Sequence, residues 1–349
     1  MKPYLRLFGL VAALLVAGHI SAAETNSLNR FLLSPRIGFN VSGKFSGIGN
    51  GLFTGVTPTP RFTPDGDPYN YDDGYLLTDS SGNLGGQTWY VGYDDSATQI
   101  SGNELLLSRS TATANAPGND QDADVSVGFE VTYQRQLGSK ERFTWGVEAS
   151  FNYQPIKFSD NGSYAATVTK VTDAYAFTPG TTPPDATPAS PYQGSFNGPG
   201  FLFGDTVVGT SSQIIPGGAT ISGRHEFDGN LFGLHLGGYG TYQLGTNWQA
   251  SMSGGFALGF LSADVSWSEQ GTPPGGGSTS LSGGGSDSDV LFGFYLGASI
   301  AYDLGKNWSV IGGVQYQYFG DYENDFSGRT VEVDFSGSLF VTVGISKSF

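Results

Sequence analysis

The sequence predicts an all-β fold: a transmembrane, antiparallel, up-and-down β-barrel of about eight strands, with long extracellular loops and short periplasmic turns. Two observations carry this prediction. Apolar and polar residues alternate along eight separate segments, and the connections between these segments alternate between long and short. Period-two alternation places the apolar residues of a segment on one face of a strand. A closed barrel in lipid covers those faces and pairs every backbone group internally.

The first 23 residues have the layout of a secretory signal peptide. Lys2 and Arg6 precede an apolar run over 7–18, and small residues follow directly. We therefore expect cleavage after about residue 23, which leaves a barrel over 24–349. The alternative is a retained membrane anchor, but this run is shorter than the ~20 apolar residues that a spanning helix needs.

Charge and cysteine content exclude several classes of protein. The chain has 31 Asp and Glu residues against 16 Lys and Arg, and its net charge is −15 at pH 7. This acidic excess argues against nucleic-acid partners, whose phosphates bind basic patches. The chain has no cysteine, so an exported form has no disulfide framework. No pattern in the sequence indicates a cofactor, and we expect none.

The eight alternating segments follow one another with a consistent apolar face. In chain order they span 35–47, 124–138, 142–155, 230–245, 247–260, 289–305, 307–320 and 330–349. Their opposite faces are mostly Gly, Ser, Thr, Gln and Asn, which suit the inside of a tightly curved barrel. A few large apolar residues share the polar face and are expected to fill the lumen: Leu231, Leu291, Tyr295, Ile311, Phe319 and Phe340.

The connections are the most informative feature of the chain. Three are short and begin with Leu-Gly: "LGSKE", "LGTN" and "LGKN". The other four are longer or irregular and span 48–123, 156–229, 261–288 and 321–329. All short turns thus fall at one end, as periplasmic turns do in outer-membrane barrels. An alternative is that parts of 85–112 and 163–177 extend strands or enter the membrane, which would raise the count to ten or twelve.

The chain ends in "VTVGISKSF", an alternating stretch with a final aromatic residue. Its apolar positions are Val341, Val343, Ile345 and Phe349, and Lys347 departs from the alternation. This stretch resembles the C-terminal signature by which bacterial outer-membrane barrels are recognised for assembly. The layout of 33–349 resembles the small eight-stranded barrels of the OmpA/OmpX kind, without a domain after the barrel. The resemblance implies the outer membrane of a Gram-negative-type bacterium, and as partners the barrel-assembly machinery, outer-membrane lipid and lipopolysaccharide.

Three tryptophans and a group of charges are the candidate structural sites of the barrel. Trp145, Trp248 and Trp308 follow the short turns and are expected to form a periplasmic aromatic girdle. A second set shares the lumen-facing positions: Arg36, Lys44, Glu130, Glu148, His235, Glu332 and Asp334. Buried charges persist only when paired. We expect Arg36 or Lys44 to pair with Glu130, Glu332 or Asp334 as a polar plug; the alternative is a solvated lumen.

The long loops carry the remaining functional signal. The segment "TPDGDPYNYDDGY" offers Asp65, Asp67, Asp72 and Asp73 as a possible divalent-cation loop, although Tyr69 interrupts the spacing of a calcium loop. A solvated acidic loop is the alternative.

No nucleophile elbow or zinc-protease motif is present, and we expect no catalytic residues. The sequence favours a non-enzymatic surface or structural role through the extracellular loops, with an unknown extracellular ligand. A narrow diffusion pore is the alternative, and a lipid-modifying barrel enzyme is a more distant one.

Overall fold

The computed structural model describes residues 29–54, 69–195, 197–273 and 277–349. The predicted signal peptide, and Asp65 and Asp67 of the predicted cation loop, lie outside these ranges.

Nineteen strands and one short helix make up the described part of the chain. They are β1 (Asn29–Phe39), β2 (Ser42–Ser46), β3 (Tyr69–Tyr71), β4 (Gly74–Leu76), β5 (Gln87–Thr88), β6 (Val91–Tyr93), α1 (Ser96–Gln99), β7 (Ile100–Ser101), β8 (Glu104–Thr113), β9 (Gln121–Asp122), β10 (Ser126–Lys140), β11 (Phe143–Phe177), β12 (Tyr192–Gln193), β13 (Phe203–Gln243), β14 (Trp248–Gly271), β15 (Thr279–Gly305), β16 (Trp308–Tyr318), β17 (Asp321–Asp325), β18 (Thr330–Asp334) and β19 (Ser338–Ser348). No helix in these ranges is long and apolar enough to cross a membrane.

Eight of these strands close into a ring, and the predicted all-β barrel is confirmed. Each ring strand pairs antiparallel with its two neighbours in the order β1, β10, β11, β13, β14, β15, β16, β19 and back to β1. At the closure, the Phe349 amide donates to the Asn29 carbonyl oxygen over 2.9 Å. The whole sheet counts eleven strands, because β5 pairs with β13, β8 pairs with β11, and β7 pairs with β8.

Most of the segments expected as loops at the far end are strand. β11 continues to Phe177 and β13 begins at Phe203, so the predicted loop 156–229 is largely one long hairpin. β14 reaches Gly271 and β15 begins at Thr279, which leaves little of the predicted loop 261–288. Residues 163–177 therefore lengthen the third ring strand and add no strand to the ring.

The exterior of the half that carries the short turns is an apolar belt. Large apolar side chains point outward from all eight ring strands and stay exposed, among them Phe31, Leu33, Val127, Phe129, Trp145, Val147, Leu236, Trp248, Met252, Phe256, Phe292, Leu296, Trp308, Val310, Val343 and Ile345. From Trp248 to Phe260 the strand rises ~40 Å, which is ~30 Å along the axis at the usual tilt of a barrel strand. That height matches the apolar thickness of a bilayer, so this belt is the lipid-facing surface.

Beyond the belt the alternation changes sides. In β13, the outward positions carry Arg224, Glu226 and Asp228, whereas the inward positions include Phe227 and Leu231, which are buried. β14 repeats the pattern, with serines outward and Ala263, Val265 and Trp267 buried inside. The outer half of the barrel is thus built like a water-soluble protein, with an apolar interior and a polar exterior.

The interior of this outer half is a continuous apolar core, here named the outer plug. Its main members are Val41, Phe45, Ile48, Leu52, Phe53, Phe158, Ile221, Phe227, Val265, Trp267, Tyr322, Phe326, Val331, Val333 and Phe335. Aromatic rings stack across it, for example Phe158 on Phe227 with centroids 4.8 Å apart. Removal of these apolar side chains from water stabilises the outer half of the barrel.

Half of the barrel wall is interrupted at the level where the outer plug begins. The four neighbouring strands β10, β1, β19 and β16 stop there, and β9, β2, β18 and β17 continue them in the same order as a separate sheet. Asn40 and Gly320 adopt positive φ values of 60° and 81° at two of these interruptions. The breaks let the continuing strands turn their apolar faces inward.

Because the exterior is apolar in the belt and polar above it, two outward-facing positions of β14 should tolerate an added charge differently. Phe256→Lys in the belt should lower the free energy of unfolding in lipid vesicles by about 2–4 kcal/mol, because a cation near the bilayer midplane is costly. Ser266→Lys, which also points outward but above the belt, should change it by less than about 0.5 kcal/mol. Denaturant titration of the vesicle-inserted protein measures both. Equal losses would contradict the assigned boundary.

Candidate functional site

The lumen inside the apolar belt holds a layer of polar side chains centred on Arg36. This residue is fully buried, and its Nη1 lies 3.5 Å from Glu130 Oε2. Nη2 donates to Gln317 Oε1 over 3.1 Å, and the guanidinium lies 3.6 Å from the centroid of the Phe340 ring. The ion pair, the amide and the aromatic face together stabilise a charge that would be costly to bury alone.

A second carboxylate, Glu148, lies in the same layer. Gln134 Nε2 and the Tyr295 hydroxyl each donate to it over 2.8 Å. The Tyr295 ring stacks on His235 at 4.5 Å, and Asn152 Nδ2 lies 3.2 Å from His235 Nε2. The structure thus brings Arg36, Glu130, Glu148 and His235 into one polar layer of the lumen, as two contacting groups: Arg36 with Glu130, and Glu148 with His235 through Tyr295.

Three of the expected lumen charges lie elsewhere, which corrects the sequence-based expectation. Lys44 is on β2, and Glu332 and Asp334 are on β18; Lys44 and Glu332 are register partners in the sheet that continues the wall. In that sheet the apolar positions are buried in the outer plug, so the charged positions turn outward. Lys44 lies 3.7 Å from Asp120, and both side chains are well exposed. The expectation failed because the wall interruption reverses which parity faces inward.

The lumen is open at the short-turn end and narrows upward. A cavity of about 330 Å³ at that mouth is lined by Arg30, Gln134, Arg142, Tyr239 and Gln249, among others. Above it a cavity of about 60 Å³ lies beside Glu130 and Glu148. Higher still, a space of about 20 Å³ lies between Phe340 and Leu231, directly under the outer plug. The lumen is therefore a vestibule with a closed top.

The outer plug contains a buried ionic cluster that sequence analysis missed. Arg329 and Glu269 form a two-point ion pair, with Arg329 Nε donating to Glu269 Oε1 over 2.9 Å and Nη2 to Oε2 over 2.5 Å. His225 Nε2 lies 2.9 Å from Glu269 Oε1. All three side chains are at most 1% exposed.

This cluster ties three distant parts of the chain together. Arg329 Nη1 donates to the Asn50 carbonyl oxygen over 2.7 Å, and the Gly49 amide donates to Glu269 Oε2 over 3.0 Å. The Arg329 guanidinium also lies 4.1 Å from the Trp267 ring. Burial alone would raise the pKa of the Glu269 carboxyl, but hydrogen bonds from His225 and Arg329 hold that pKa below its usual value. The cluster thus anchors segments of the outer plug to the barrel wall.

A folded module stands on the far end of the longest hairpin. The sheet β12-β6-β4-β3 packs on the upper parts of β8, β11 and β13. Its apolar core is formed by Tyr71, Leu76, Val91, Tyr93, Leu105, Leu107, Tyr175, Phe177, Ala186 and Phe203. We name these strands, with α1 and their connections over 69–113 and 178–203, the outer module.

Hydrogen bonds to one buried carboxylate hold the outer module on the hairpin. Asp173 Oδ2 accepts from the Tyr71 hydroxyl over 2.9 Å, and Oδ1 accepts from Thr210 Oγ1 over 2.7 Å. The Tyr71 and Tyr175 hydroxyl oxygens are 2.7 Å apart. Burial raises the pKa of Tyr175 to about 12, so this hydroxyl stays protonated as a donor.

The described half of the predicted cation loop belongs to this module. Asp73 Oδ1 accepts from the Ser108 amide over 2.7 Å, and burial raises the pKa of both Asp72 and Asp73. Within the described ranges, no group of three or more His, Cys, Asp or Glu side chains is placed to hold a metal ion. The role of Asp65 and Asp67 stays a prediction.

The other predicted residues lie at the short-turn end. Trp145, Trp248 and Trp308 are 40–51% exposed near the starts of their strands. Val341, Val343 and Ile345 are on β19, and Phe349 stacks on Phe31 with ring centroids 5.5 Å apart. Lys347 Nζ lies 5.0 Å from the centroid of the Trp308 ring, which accommodates its charge at the edge of the belt.

No protein family and no curated protein matches this chain. Solved structures similar to it include the outer membrane protease OmpT from Escherichia coli, at 10% identity and a TM-score of 0.33, which covers 94% of this chain and 99% of that one. Ail, the attachment invasion locus protein of Yersinia pestis, is 9% identical with a TM-score of 0.24 and covers 90% and 97%. A FadL homologue of Pseudomonas aeruginosa is 8% identical with a TM-score of 0.19 and covers 92% and 90%. These TM-scores are below 0.5, so the barrel fold rests on the strand pairing of this chain.

The buried cluster predicts a pH-dependent loss of stability. Glu269→Gln leaves Arg329 buried without a counter-charge, which should lower the free energy of unfolding by about 3–5 kcal/mol at neutral pH. Because the folded-state pKa of Glu269 lies below its unfolded value, its contribution is present above the unfolded pKa and is lost as pH falls through the folded one. The difference between wild type and variant should therefore shrink below about pH 4.

Urea titration followed by tryptophan fluorescence measures this difference. Glu226→Gln is the matched control, because Glu226 pairs with Arg224 on the exposed face of the same strand as His225. It should cost less than about 1 kcal/mol at any pH. A Glu269→Gln effect as small as the control's, or one that does not depend on pH, would contradict the anchoring role.

Proposed function

We propose that this chain is an outer-membrane barrel of a Gram-negative-type bacterium with a non-enzymatic surface role, in which a sealed barrel holds the outer module outside the cell. The observation that carries this proposal is the outer plug. An apolar core that fills the outer half of the lumen leaves no wetted path for solutes, and it gives the long strands a rigid end on which a module can stand. The position of all three short turns at one end of the belt supports a periplasmic location for that end.

The geometry favours this role over a diffusion pore. A polar lumen that conducts needs a continuous row of solvated groups, and here Arg36, Phe340 and then the outer plug lie across the axis. Enzymatic activity is less favoured, because both histidines of the described chain, His225 and His235, are at most 1% exposed. A buried imidazole does not reach a substrate at the surface.

The proposed lipid partners are supported by the wall just above the belt. A surface groove of about 390 Å³ there is lined by carboxylates that include Asp124, Glu226, Asp228 and Asp264. Lys157 Nζ pairs with Asp228 over 2.5 Å and is the basic residue in this groove. Lipopolysaccharide phosphates next to such a surface would require divalent cations between the two sets of anions. The barrel-assembly machinery remains the proposed assembly partner.

The sealed lumen predicts electrical silence in planar bilayers. Wild-type protein should show no steady conductance after insertion, with a general porin as the insertion control. Arg36→Ala should also be silent, because the outer plug remains closed above the broken ion pair. Heat-modifiable gel mobility shows that each sample is folded. Steady conductance of folded wild-type protein would overturn the sealed barrel in favour of the pore, and opening of Arg36→Ala alone would assign the seal to the polar layer.

The surface role predicts that the outer module carries contact with other surfaces. Cells that express the wild-type protein should adhere better than cells without it to at least one of fibronectin, laminin or collagen coatings. Replacement of residues 69–101 by a Gly-Ser linker should return adhesion to the level of cells without the protein.

The matched control replaces residues 272–278, a connection at the same end but outside the module, and should keep wild-type adhesion. Heat-modifiable mobility again verifies folding of each variant. Equal adhesion of the module variant and the wild type, or no wild-type adhesion on any coating, would contradict the role of the module.

A further inference from the structure

We propose that the cavity beside Glu130 and Glu148 binds one monovalent inorganic cation, such as K⁺ or Na⁺, that enters through the short-turn mouth. The cavity has a volume of about 60 Å³, whereas a single water needs roughly 10–15 Å³. It therefore has room for an ion that keeps part of its hydration shell. The proposal concerns a site in the lumen and does not depend on the surface role of the outer module.

The charges around the cavity do not balance. Arg36 lies 3.5 Å from Glu130 and compensates that carboxylate. Glu148 is 93% buried, since its exposure is 7%, and its described hydrogen-bond partners are the neutral groups of Gln134 and Tyr295. Within the described ranges, no Lys, Arg or His side chain lies within 4.0 Å of the Glu148 carboxylate. A carboxylate removed from water without a counter-charge is costly, so a cation here would be strongly stabilising.

An unpartnered oxygen provides an independent second observation. Gln315 lines the cavity, is 8% exposed, and its Oε1 has no hydrogen-bond partner. Its Nε2 points to Glu130 Oε2 at 3.4 Å, which leaves Oε1 on the other side of the amide. Gln315 therefore offers a buried carbonyl oxygen, the kind of neutral ligand that alkali cations accept.

The rest of the lining also suits a cation. Six of its lining residues carry hydroxyl groups: Ser34, Thr132, Ser251, Ser253, Ser299 and Thr342. Arg30 at the mouth is held by Ser346, to which its Nε and Nη2 donate over 3.0 and 2.8 Å. One uncompensated carboxylate favours a monovalent ion, because a divalent ion prefers more than one free carboxylate.

The site has a route to solvent. Gln134 lines both the 60 Å³ cavity and the 330 Å³ mouth, so the two spaces meet at this residue. The outer plug closes the other end. Ions therefore exchange with the side of the short turns only, and occupancy does not imply conduction.

The test compares thermal stability of the folded protein in detergent in KCl, NaCl and N-methyl-D-glucamine chloride at equal ionic strength and neutral pH. Wild-type protein should unfold roughly 2–4 °C higher in KCl or NaCl than with the large organic cation, because ligand binding to the native state raises the unfolding temperature. Glu148→Gln should abolish the difference between salts. Glu323→Gln, an equal charge change at an exposed position of β17 and away from the lumen, should retain it.

Direct detection uses Tl⁺ or Rb⁺, which replace K⁺ and scatter anomalously. A crystal soaked in either ion should show an anomalous peak between Glu130, Glu148 and Gln315, and Glu148→Gln crystals should lack it. Equal stability of the wild type in all three salts would overturn the proposal. So would wild-type stability that rises only on acidification, since a proton on Glu148 would then balance the charge.

Discussion

The structure depends on one constraint: the barrel wall must satisfy two different solvents along its height, and the strands β11, β13, β14 and β15 run through both. In the belt the solvent is lipid, so apolar side chains face out and polar ones face in. Beyond the belt the solvent is water, and the two faces exchange roles. The swap of apolar and polar faces does not interrupt backbone hydrogen bonding. The ladder between β11 and β13 continues from the lipid-facing part of the wall into the water-facing part. The strands can therefore be far longer than a bilayer requires.

The exchange of apolar and polar faces also explains at which height of the barrel charged side chains are found in the interior. Arg36, Glu130 and Glu148 lie at belt height, where apolar residues must face lipid and the interior is left for polar groups. Above that height the interior is apolar, and the ionic cluster of His225, Glu269 and Arg329 is retained only as a fully paired set. A buried pair adds little stability by itself compared with apolar packing. The role of this cluster is to hold loop segments in place against the barrel wall.

The sequence predicted the ring and its short turns because alternation and turn residues are local signals. It did not reveal the outer half, although the signal was present. In β13, Phe232 and Leu234 occupy the parity that Asp228 and Glu226 occupy further up. If the apolar residues are assumed to keep the same parity along the whole strand, the strand is predicted to end at this point and the rest is assigned to a loop. The pattern that indicates such a strand is alternation that continues beyond the membrane belt, with apolar residues at the positions that are polar within the belt.

Other features were beyond local reasoning. The interruptions at Asn40 and Gly320 reverse the facing of Lys44 and its neighbours, and they arise from backbone conformation at single residues. His225 and Glu269 lie on the paired strands β13 and β14, whereas Arg329 comes from the distant β17–β18 connection, so Arg329 joins the cluster only when the barrel closes. The Arg36–Glu130 pair could be predicted from the sequence, because the first and second strands were expected to be neighbours in the ring.

The placement of the outer module follows from the same continuity. β8 pairs with β11 along Thr167–Ala176, so the module extends the barrel wall by hydrogen bonds and is not tethered by a flexible linker. Asp173 then couples the hairpin to the module through Tyr71 and Thr210. A force that acts on the module is thereby transmitted to the barrel wall, whose interior is the close-packed outer plug. Rigid presentation of this kind would lower the conformational entropy lost on binding, which is the physical advantage of a sealed barrel in the proposed surface role.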